Sequence, residues 1–467
     1  MKVAIIGAGI SGLATAYYLR KRNPHLEIQI FESTPRVGGL LETVPVLDTL
    51  MECGPDAFIS EKPWALELCK ELGLESEIIQ TRSEHRRSFI LVKGILKPIP
   101  AGFYLTAPKN FSAWWNLPGM SFLGKIRMLA DLFIPARKED EDESVATFVT
   151  RRFGKETLEK LAQPMIAGIY TASPEKLSLL ATFPKFREIE KKYGSVMRGL
   201  VATQGSGAAS GPRYSLFLSL RRGMESLPLK LAELLASFIQ CATPIQAIHK
   251  KEQLWSVETP WSAYEADAIC LAVPSYEASR ILRESCPEIS QALSEIRFEP
   301  VATINFLLAR DAIRHPLDGF GFVVPAVEKS SLIGCSFSHQ KFEGRALRED
   351  QVLLRAFVGG AYGAKTFQKT DEQMVQVVFE ELKNILGIHS EPVQVLVRRY
   401  PQGMPQYEVG HLVRAEELFR QLPQGIFLTG LSYRGIGIPD CIKSAKETAE
   451  KITLFFESEV SGLRSPV

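Results

Sequence analysis

The hydrophobic pattern of the chain declares its first elements within thirty residues. Val3-Ala4-Ile5-Ile6 is an unbroken apolar run, the pattern of a strand buried on both faces. Helical spacing follows from Leu13 to Arg22, and then a second strand pattern at 27–31, ending before Glu32. Residues 63–72 repeat the helical spacing, with Pro63 suited to a first turn and Gly73 to a stop. Residues 88–97 predict a β-hairpin that turns at Lys93-Gly94. Helical spacing then dominates in Leu123-Ile126-Leu129-Ala130-Leu132-Phe133, in Val145-Phe148-Val149 and in Leu158-Leu161-Ala162-Met165-Ile166. The charge run at 138–143 reads as a solvated turn between helices, and 206–214 as a linker. Residues 243–248 and 266–274 read as strands returning to the first sheet, the second followed by a helix after Ser275. Between 297 and 420, strand-like runs at 301–306 and 352–358 alternate with turns and one helix at 371–386, which predicts an antiparallel sheet. A short strand at 425–428 leads into a glycine-rich turn and a helix over 443–452. The small, polar tail from 458 to 467 is expected to fray.

The punctuation between these elements carries the chemistry. Gly7-Ala8-Gly9-Ile10-Ser11-Gly12 joins the first strand to the first helix, and Glu32 stands twenty residues past Gly12. Dinucleotide binding requires that order. Gly7 allows the tight turn, Gly9 lets the backbone approach a pyrophosphate, and Gly12 lets the helix lie close on the strand. The helix N-terminus at Ile10 and Ser11 offers unpaired N–H groups to phosphate. Glu32, with Ser33 beside it, is assigned to a ribose.

The next residues select a flavin. In Arg36-Val37-Gly38-Gly39 the glycine pair lets the chain recross a diphosphate without side chains, and Arg36 offsets its charge. The stiff turn at 52–56 adds Gly54, Pro55 and Asp56 to the cofactor set. At the far end, Gly430 and the Ile436-Gly437-Ile438 turn open a helix whose dipole favours negative charge at the pyrimidine end of a reduced ring. Together these resemble the GxGxxG…E…RxGG signature of the flavin amine oxidase superfamily.

Composition narrows the partners. A net charge of +2 over 467 residues, without a basic aromatic stripe, gives no case for nucleic acid. The seven cysteines are scattered and lack a CxxC pair, which suits a reducing compartment and argues against a disulfide framework or zinc. The seven histidines show no ligand spacing, so no metal is expected, and His411 reads as structural. The first strand starts at residue 3 and no run of eighteen apolar residues occurs, so neither a targeting segment nor a membrane span is expected.

More specific segments narrow the family. Glu52-Cys53-Gly54-Pro55-Asp56-Ala57-Phe58, Ser219-Leu220-Arg221-Arg222-Gly223-Met224-Glu225-Ser226-Leu227, Asp318-Gly319-Phe320-Gly321-Phe322-Val323-Val324-Pro325, Pro405-Gln406-Tyr407-Glu408-Val409-Gly410-His411 and Gly437-Ile438-Pro439-Asp440-Cys441-Ile442 span the chain. They resemble the oxygen-dependent protoporphyrinogen oxidase / coproporphyrinogen III oxidase family. That resemblance implies an α/β fold: a discontinuous Rossmann-like FAD-binding domain, an antiparallel-sheet substrate domain and an inserted helical domain, as in amine oxidases and p-hydroxybenzoate hydroxylase. The expected division is 1–82, 215–296 and 421–458 for the FAD domain, 83–98 and 297–420 for the substrate domain, 99–205 for the helical, membrane-associated domain, and 459–467 for the tail.

The resemblance further implies non-covalent FAD, with the backbone of Ile245 against the adenine and Tyr400 in the cofactor set. The implied reaction oxidises protoporphyrinogen IX or coproporphyrinogen III in haem biosynthesis. Hydrides pass from the bridging carbons to flavin N5, and molecular oxygen reoxidises the flavin to give hydrogen peroxide. No single side chain is expected to be the catalyst. Lys62 is the candidate for a propionate contact or proton relay, with Arg86 and Arg87 behind it. Gly168, Ile169 and Tyr170 resemble the wall that packs the macrocycle, although Tyr170 reads equally well as core. Phe103 and Tyr104 stand where some relatives place a propionate-binding arginine, which leaves the choice between two and four propionates open. The Phe111, Trp114, Trp115, Leu117, Met120, Phe122, Leu123 patch ahead of Lys125 and Arg127 suits a peripheral contact on the cytoplasmic face of a membrane, or equally a core cluster. The remaining alternatives are an amine oxidase or polyene desaturase and, more remotely, a flavin-free carrier resembling GDP-dissociation inhibitors. Oligomeric state is left open.

Overall fold

Lys2–Ile6 pairs in parallel with Glu27–Phe31 on one side and with Ala268–Leu271 on the other. Ile239–Gln240 and Ile426–Leu428 complete the five-stranded sheet at its two edges, also in parallel. Three distant stretches of sequence therefore share one sheet. Val3, Ala4 and Ile5 are fully buried, as an unbroken apolar run demands. Each large aliphatic side chain so buried contributes about 1.5–3 kcal/mol. The helices Ile10–Arg22 and Ile438–Ser461 pack together against this sheet in one core with Leu227, Leu231 and Ala445.

The structure, a computed structural model, describes residues 1–84, 86–100, 110–203 and 217–461, with backbone alone for 103–104, 107–108, 460 and 461. The expectations for the Phe103 and Tyr104 side chains, for the 206–214 linker and for 462–467 lie outside the described residues.

A second sheet of seven strands runs in the order Gln394–Pro405, Phe298–Ala309, Gln351–Gly359, Gly334–Phe337, Gly321–Val323, Phe89–Val92, Ile95–Pro98. The hairpin turns at Lys93 and Gly94, both at positive φ. The sheet departs from the expected antiparallel pattern at one pairing, Gly321–Val323 with Phe89–Val92, which is parallel. Those two strands are far apart in sequence, so no hairpin constrains their direction. The helix Asp371–Leu386 covers the sheet through Met374, Val378, Phe379 and Leu382.

Two expectations need correction. Residues 243–248 do not return to the parallel sheet. Its edge beside Glu27–Phe31 is taken by Ile239–Gln240, after which the chain turns with Thr243 N–H on Glu32 O. Ala247–Lys251 then begins a separate antiparallel meander with Leu254–Glu258 and Ala263–Ala266. The last helix also runs beyond 458, to Ser461. Phe455 packs edge-on against Phe427, Phe456 is buried and Gln424 donates to Glu459 at 2.7 Å, so the sheet anchors the end of the helix.

The helical unit has its own core, around Phe148, Phe153, Leu161, Ile166 and Leu200. The 138–143 charge run is solvated only in part: Glu143 is buried and pairs with Arg151 at 2.7 Å. Beneath it lies a buried ion cluster, with Arg152 bridging Asp131 at 3.3 Å and Glu190 at 3.0 Å. The aromatic patch divides: Trp114 and Leu117 are core, whereas Phe111, Trp115, Phe122 and Leu123 face solvent.

Candidate functional site

The C-terminal ends of the parallel strands open into a cleft of about 580 Å³. Loops outside the carboxyl ends of parallel strands are where such sheets hold ligands. Gly7, Gly9, Ile10, Ser11, Glu32, Ser33, Gly38 and Gly39 from the N-terminal segment, Pro55, Ile245 and Tyr400 from the middle, and Gly430, Ile436 and Ile438 from the C-terminus all line it.

The N-terminal glycines have separate physical reasons. A side chain at Gly12 would overlap the carbonyl oxygen of Gly7, so the helix lies on the turn only because Gly12 is bare. Gly7 holds φ +103 and donates to Phe31 O at 2.8 Å, which makes the turn. Gly9 is different. Its φ is −71°, and an added Cβ would meet no atom of the chain nearer than Gly39 Cα at 3.9 Å. Neither backbone geometry nor packing requires glycine there, so the bare position serves whatever enters the cleft. The helix behind it has no side-chain N-cap and no acid in its first turn, so its N–H groups remain available to an anion. The glycine-pair loop lies alongside, with Gly38 N–H on Ala8 O at 2.8 Å.

Glu32 is almost fully buried. Its Oε2 accepts Ala8 N–H at 2.9 Å, and its Oε1 accepts Thr34 N–H at 2.9 Å and the Thr34 hydroxyl at 2.8 Å. The carboxylate is thereby fixed at the cleft edge. Along the wall, the Tyr400 hydroxyl is buried and has no hydrogen-bond partner among the described residues, and burial pushes its phenol up to about 12. A neutral phenol with an unmet hydrogen bond suits a polar ligand.

Other candidates stand outside the cleft wall. Arg36 uses its guanidinium on Glu225 Oε1 at 3.2 Å, on Val37 O at 3.0 Å and on Gly39 O, bracing the glycine-pair loop from behind. Gly54 lies tight against Leu40, where a Cβ would overlap a carbonyl. Burial alone would raise the Asp56 carboxyl, but Lys341, at 2.9 and 3.0 Å, and Arg355 outweigh it and hold the group at about 2. Gly437 packs on Asp440 at the start of the last helix. Lys62 is paired with both oxygens of Asp440, at 2.6 and 2.7 Å. Gly168, Ile169 and Tyr170 end the helix Gln163–Tyr170, which follows a π-helical turn, Leu158–Ala162. Gly168 faces Val323, and Ile169, Tyr170 and Ile436 pack on the same helical core. Ile436 thus borders both the cleft and the helical unit.

A family description, flavin containing amine oxidoreductase, matches residues 10–453. The chain belongs to that family. It is 32% identical to the coproporphyrinogen III oxidase of Bacillus subtilis (strain 168) over 97% of this chain and 98% of that protein. It is 30% identical to the chloroplastic protoporphyrinogen oxidase of Nicotiana tabacum over 97% of this chain and 85% of that one. A crystal structure from Exiguobacterium sp. 255-15 that carries a protoporphyrinogen oxidase name superposes with a TM-score of 0.87 at 31% identity, covering 97% of this chain and 98% of that one. Wild-type putrescine oxidase shares the fold, with a TM-score of 0.71 at 18% identity over 97% and 99%.

Family membership makes the protein a flavin-dependent oxidoreductase. The cleft fits a flavin cofactor on its own evidence: the bare Gly9, the uncapped helix end and the unmet Tyr400 hydroxyl. Sequence reasoning missed Val273, Tyr276, Glu277 and Phe298 on the wall. Val273 was within reach, because a residue that follows a strand of a parallel sheet faces its carboxyl-end crevice. Glu277 carries no such signal. It reaches the cleft from the helix Ser275–Leu282, where Arg280 holds its carboxylate. Among the described residues no group of metal-binding side chains occurs, and no helix is long and apolar enough to cross a membrane.

Proposed function

We propose that this protein oxidises a porphyrinogen, protoporphyrinogen IX or coproporphyrinogen III, to the porphyrin in haem biosynthesis, with non-covalent FAD. Similarity over nearly the whole chain to enzymes named for those two reactions carries the reading. The likeness to amine oxidases is far lower in identity and supports the fold alone. When bound, the flavin supplies a two-electron acceptor for hydride from a bridging carbon of the macrocycle, and oxygen returns it to the oxidised state with release of hydrogen peroxide.

The chain's part is to bind, orient and exclude water. Gly9, Ile10 and Ser11, with Gly38 and Gly39, hold the pyrophosphate between two backbone loops. Glu32 takes the ribose hydroxyls, and Ile245 borders the adenine. Tyr400, Gly430, Ile436 and Ile438 enclose the ring end. Gly168, Ile169, Tyr170 and Val323 form the macrocycle wall, where a small residue and apolar surface permit flat contact. Lys62 spends two of its three donors on Asp440 and is half exposed, so one donor remains for a propionate.

We assign the FAD domain to 1–82, 215–296 and 421–458, the substrate domain to 83–98 and 297–420, and the helical domain to 99–205. Phe111, Trp115, Phe122 and Leu123, beside Lys125, are read as a peripheral contact with the cytoplasmic face of a membrane.

The test is direct. Purified protein loaded with FAD should generate porphyrin fluorescence and peroxide on addition of either tetrapyrrole, and parallel kinetics should identify the preferred one. Flavin-loaded protein inert toward both would overturn the reading.

A further inference from the structure

The turn that closes the cleft from the C-terminal side is held from behind by two side chains of another segment. The Tyr407 hydroxyl donates to Leu431 O at 2.6 Å and accepts Gly435 N–H at 2.8 Å. The His411 ring stacks on the Tyr407 ring, with 4.0 Å between centroids and 15° between planes, and its Nε2–H donates to Tyr433 O at 2.8 Å. Three alternate residues of one turn, 431, 433 and 435, are therefore fixed by a single aromatic pair. Both side chains are almost fully buried. Polar bonds in such surroundings are strong, and their loss leaves the backbone partners unmet.

Tyr407 is also part of the helical core. Its carbonyl accepts Ser178 N–H at 2.8 Å, and Leu177 forms a bridge with Glu408. The preceding side chain, Gln406, donates to Tyr170 O at 3.4 Å, at the end of the helix that forms the proposed macrocycle wall. One short segment thus touches that wall and the turn facing the flavin. The turn leads directly into Ile438–Ser461, whose N-terminal end favours negative charge and carries Asp440 in its first turn. Where the turn sits decides how that helix end addresses the cleft.

We propose that Tyr407 is a positioning residue: its hydroxyl locks the 431–435 turn to the helical unit, and so sets how tightly the flavin is held and how readily it is reduced. The inference rests on the flavin reading of the cleft. Tyr407→Phe removes the hydroxyl but keeps the ring, its stacking and the core volume. Tyr433→Phe is the matched control, since the Tyr433 hydroxyl is buried in the same turn without a hydrogen-bond partner among the described residues.

In flavin-free protein, Tyr407→Phe should speed amide hydrogen exchange across 430–438, while Tyr433→Phe leaves it unchanged. With FAD, Tyr407→Phe should weaken flavin binding about tenfold and lower the midpoint potential of the bound flavin. Unchanged exchange across 430–438 in Tyr407→Phe would overturn the proposal, as would equal shifts in the two variants. Faster exchange in Tyr407→Phe from a wild-type protein that binds no flavin would support the clasp and sink the flavin reading instead.

Discussion

Lys62 and Asp440 meet across 378 residues of sequence, with the ammonium 2.6 and 2.7 Å from the two carboxylate oxygens. The pair ties the start of the helix Trp64–Glu71 to the first turn of Ile438–Ser461, where an acid is favoured by the helix dipole. Lys62 is half exposed, so the pair itself contributes little to stability. Lys62→Met should raise the KM for the porphyrinogen by about three- to tenfold, with kcat and flavin content near wild type, because a charged hydrogen bond is worth about 1.5–3 kcal/mol before solvent screening reduces it. Steady-state kinetics on flavin-saturated enzyme decide the matter, and an unchanged KM removes Lys62 from the substrate site.

Gly9 and Gly12 should separate ligand from fold. Gly9→Val adds bulk where the chain leaves room, so the protein should fold with a near-normal unfolding temperature and purify without flavin. Gly12→Ala forces the helix off the turn and should lower stability by several kcal/mol. Absorbance of bound flavin and thermal melting of the two variants provide the check. Full flavin occupancy in Gly9→Val contradicts the assignment.

Replacing Glu32 by Gln places an amide NH₂ against donors, since Ala8 and Thr34 already present N–H groups to the carboxylate. The flavin dissociation constant should rise at least about tenfold, the equivalent of one lost charged hydrogen bond. The KM for the porphyrinogen should stay within about twofold once flavin is saturating. Equilibrium flavin titration beside steady-state kinetics tests the order of the two effects, and the reverse order would remove the ribose role.

Acid should weaken the fold through His411. Burial lowers its pKa from 6.5 to about 4, against the smaller opposing pull of the Tyr433 carbonyl. The unfolded chain therefore binds the proton more readily. Stability from this group is complete above pH 6.5 and is lost as pH falls toward 4, by up to about 3 kcal/mol. Asp56 adds a second loss at lower pH, as the medium falls from 3.8 toward about 2. Melting temperatures at pH 7.5, 6 and 5 should fall in that order, and His411→Gln should remove about half of the decline, since burial lowers His339 to about 4 as well. A flat profile in the wild type would contradict the buried neutral imidazole.

The solvent-facing aromatic patch should be dispensable for folding and needed for membrane attachment. Phe122→Glu with Leu123→Glu alters side chains that are 62% and 77% exposed, so stability should change by no more than about 0.5 kcal/mol per site. Cosedimentation with anionic vesicles should drop severalfold. Trp114→Ala, which empties a core position, should cost about 3–5 kcal/mol instead. Equal vesicle binding by the double variant and wild type would confine the patch to some other role.

Local patterns made much of the cleft lining legible. A glycine turn between strand and helix, an acid after the next strand and a glycine pair beyond it depend on neighbours along the chain, so the residues expected at 7–12 and 32–39 are where the cleft lies, Arg36 and Gly12 excepted. Those two serve the loop and the helix packing, a distinction that spacing alone does not carry. The strand at 243–248 was misplaced because a short apolar run does not say which sheet edge is vacant. The parallel pairing of Gly321–Val323 with Phe89–Val92 was equally silent, since partners more than two hundred residues apart leave no periodicity in either strand.

By itself the amino-acid sequence determined the glycine turn between the first strand and helix, the glycine pair beside it, the mixed architecture and the kinship, because each rests on short-range order or on composition. Only the tertiary structure decided that Lys62 answers to Asp440, that Arg36 answers to Glu225, and that Tyr407 and His411 grip alternate residues of the closing turn. Such relationships arise when chain ends hundreds of residues apart are brought into one core, where burial makes every unmet hydrogen bond costly and so selects the partner.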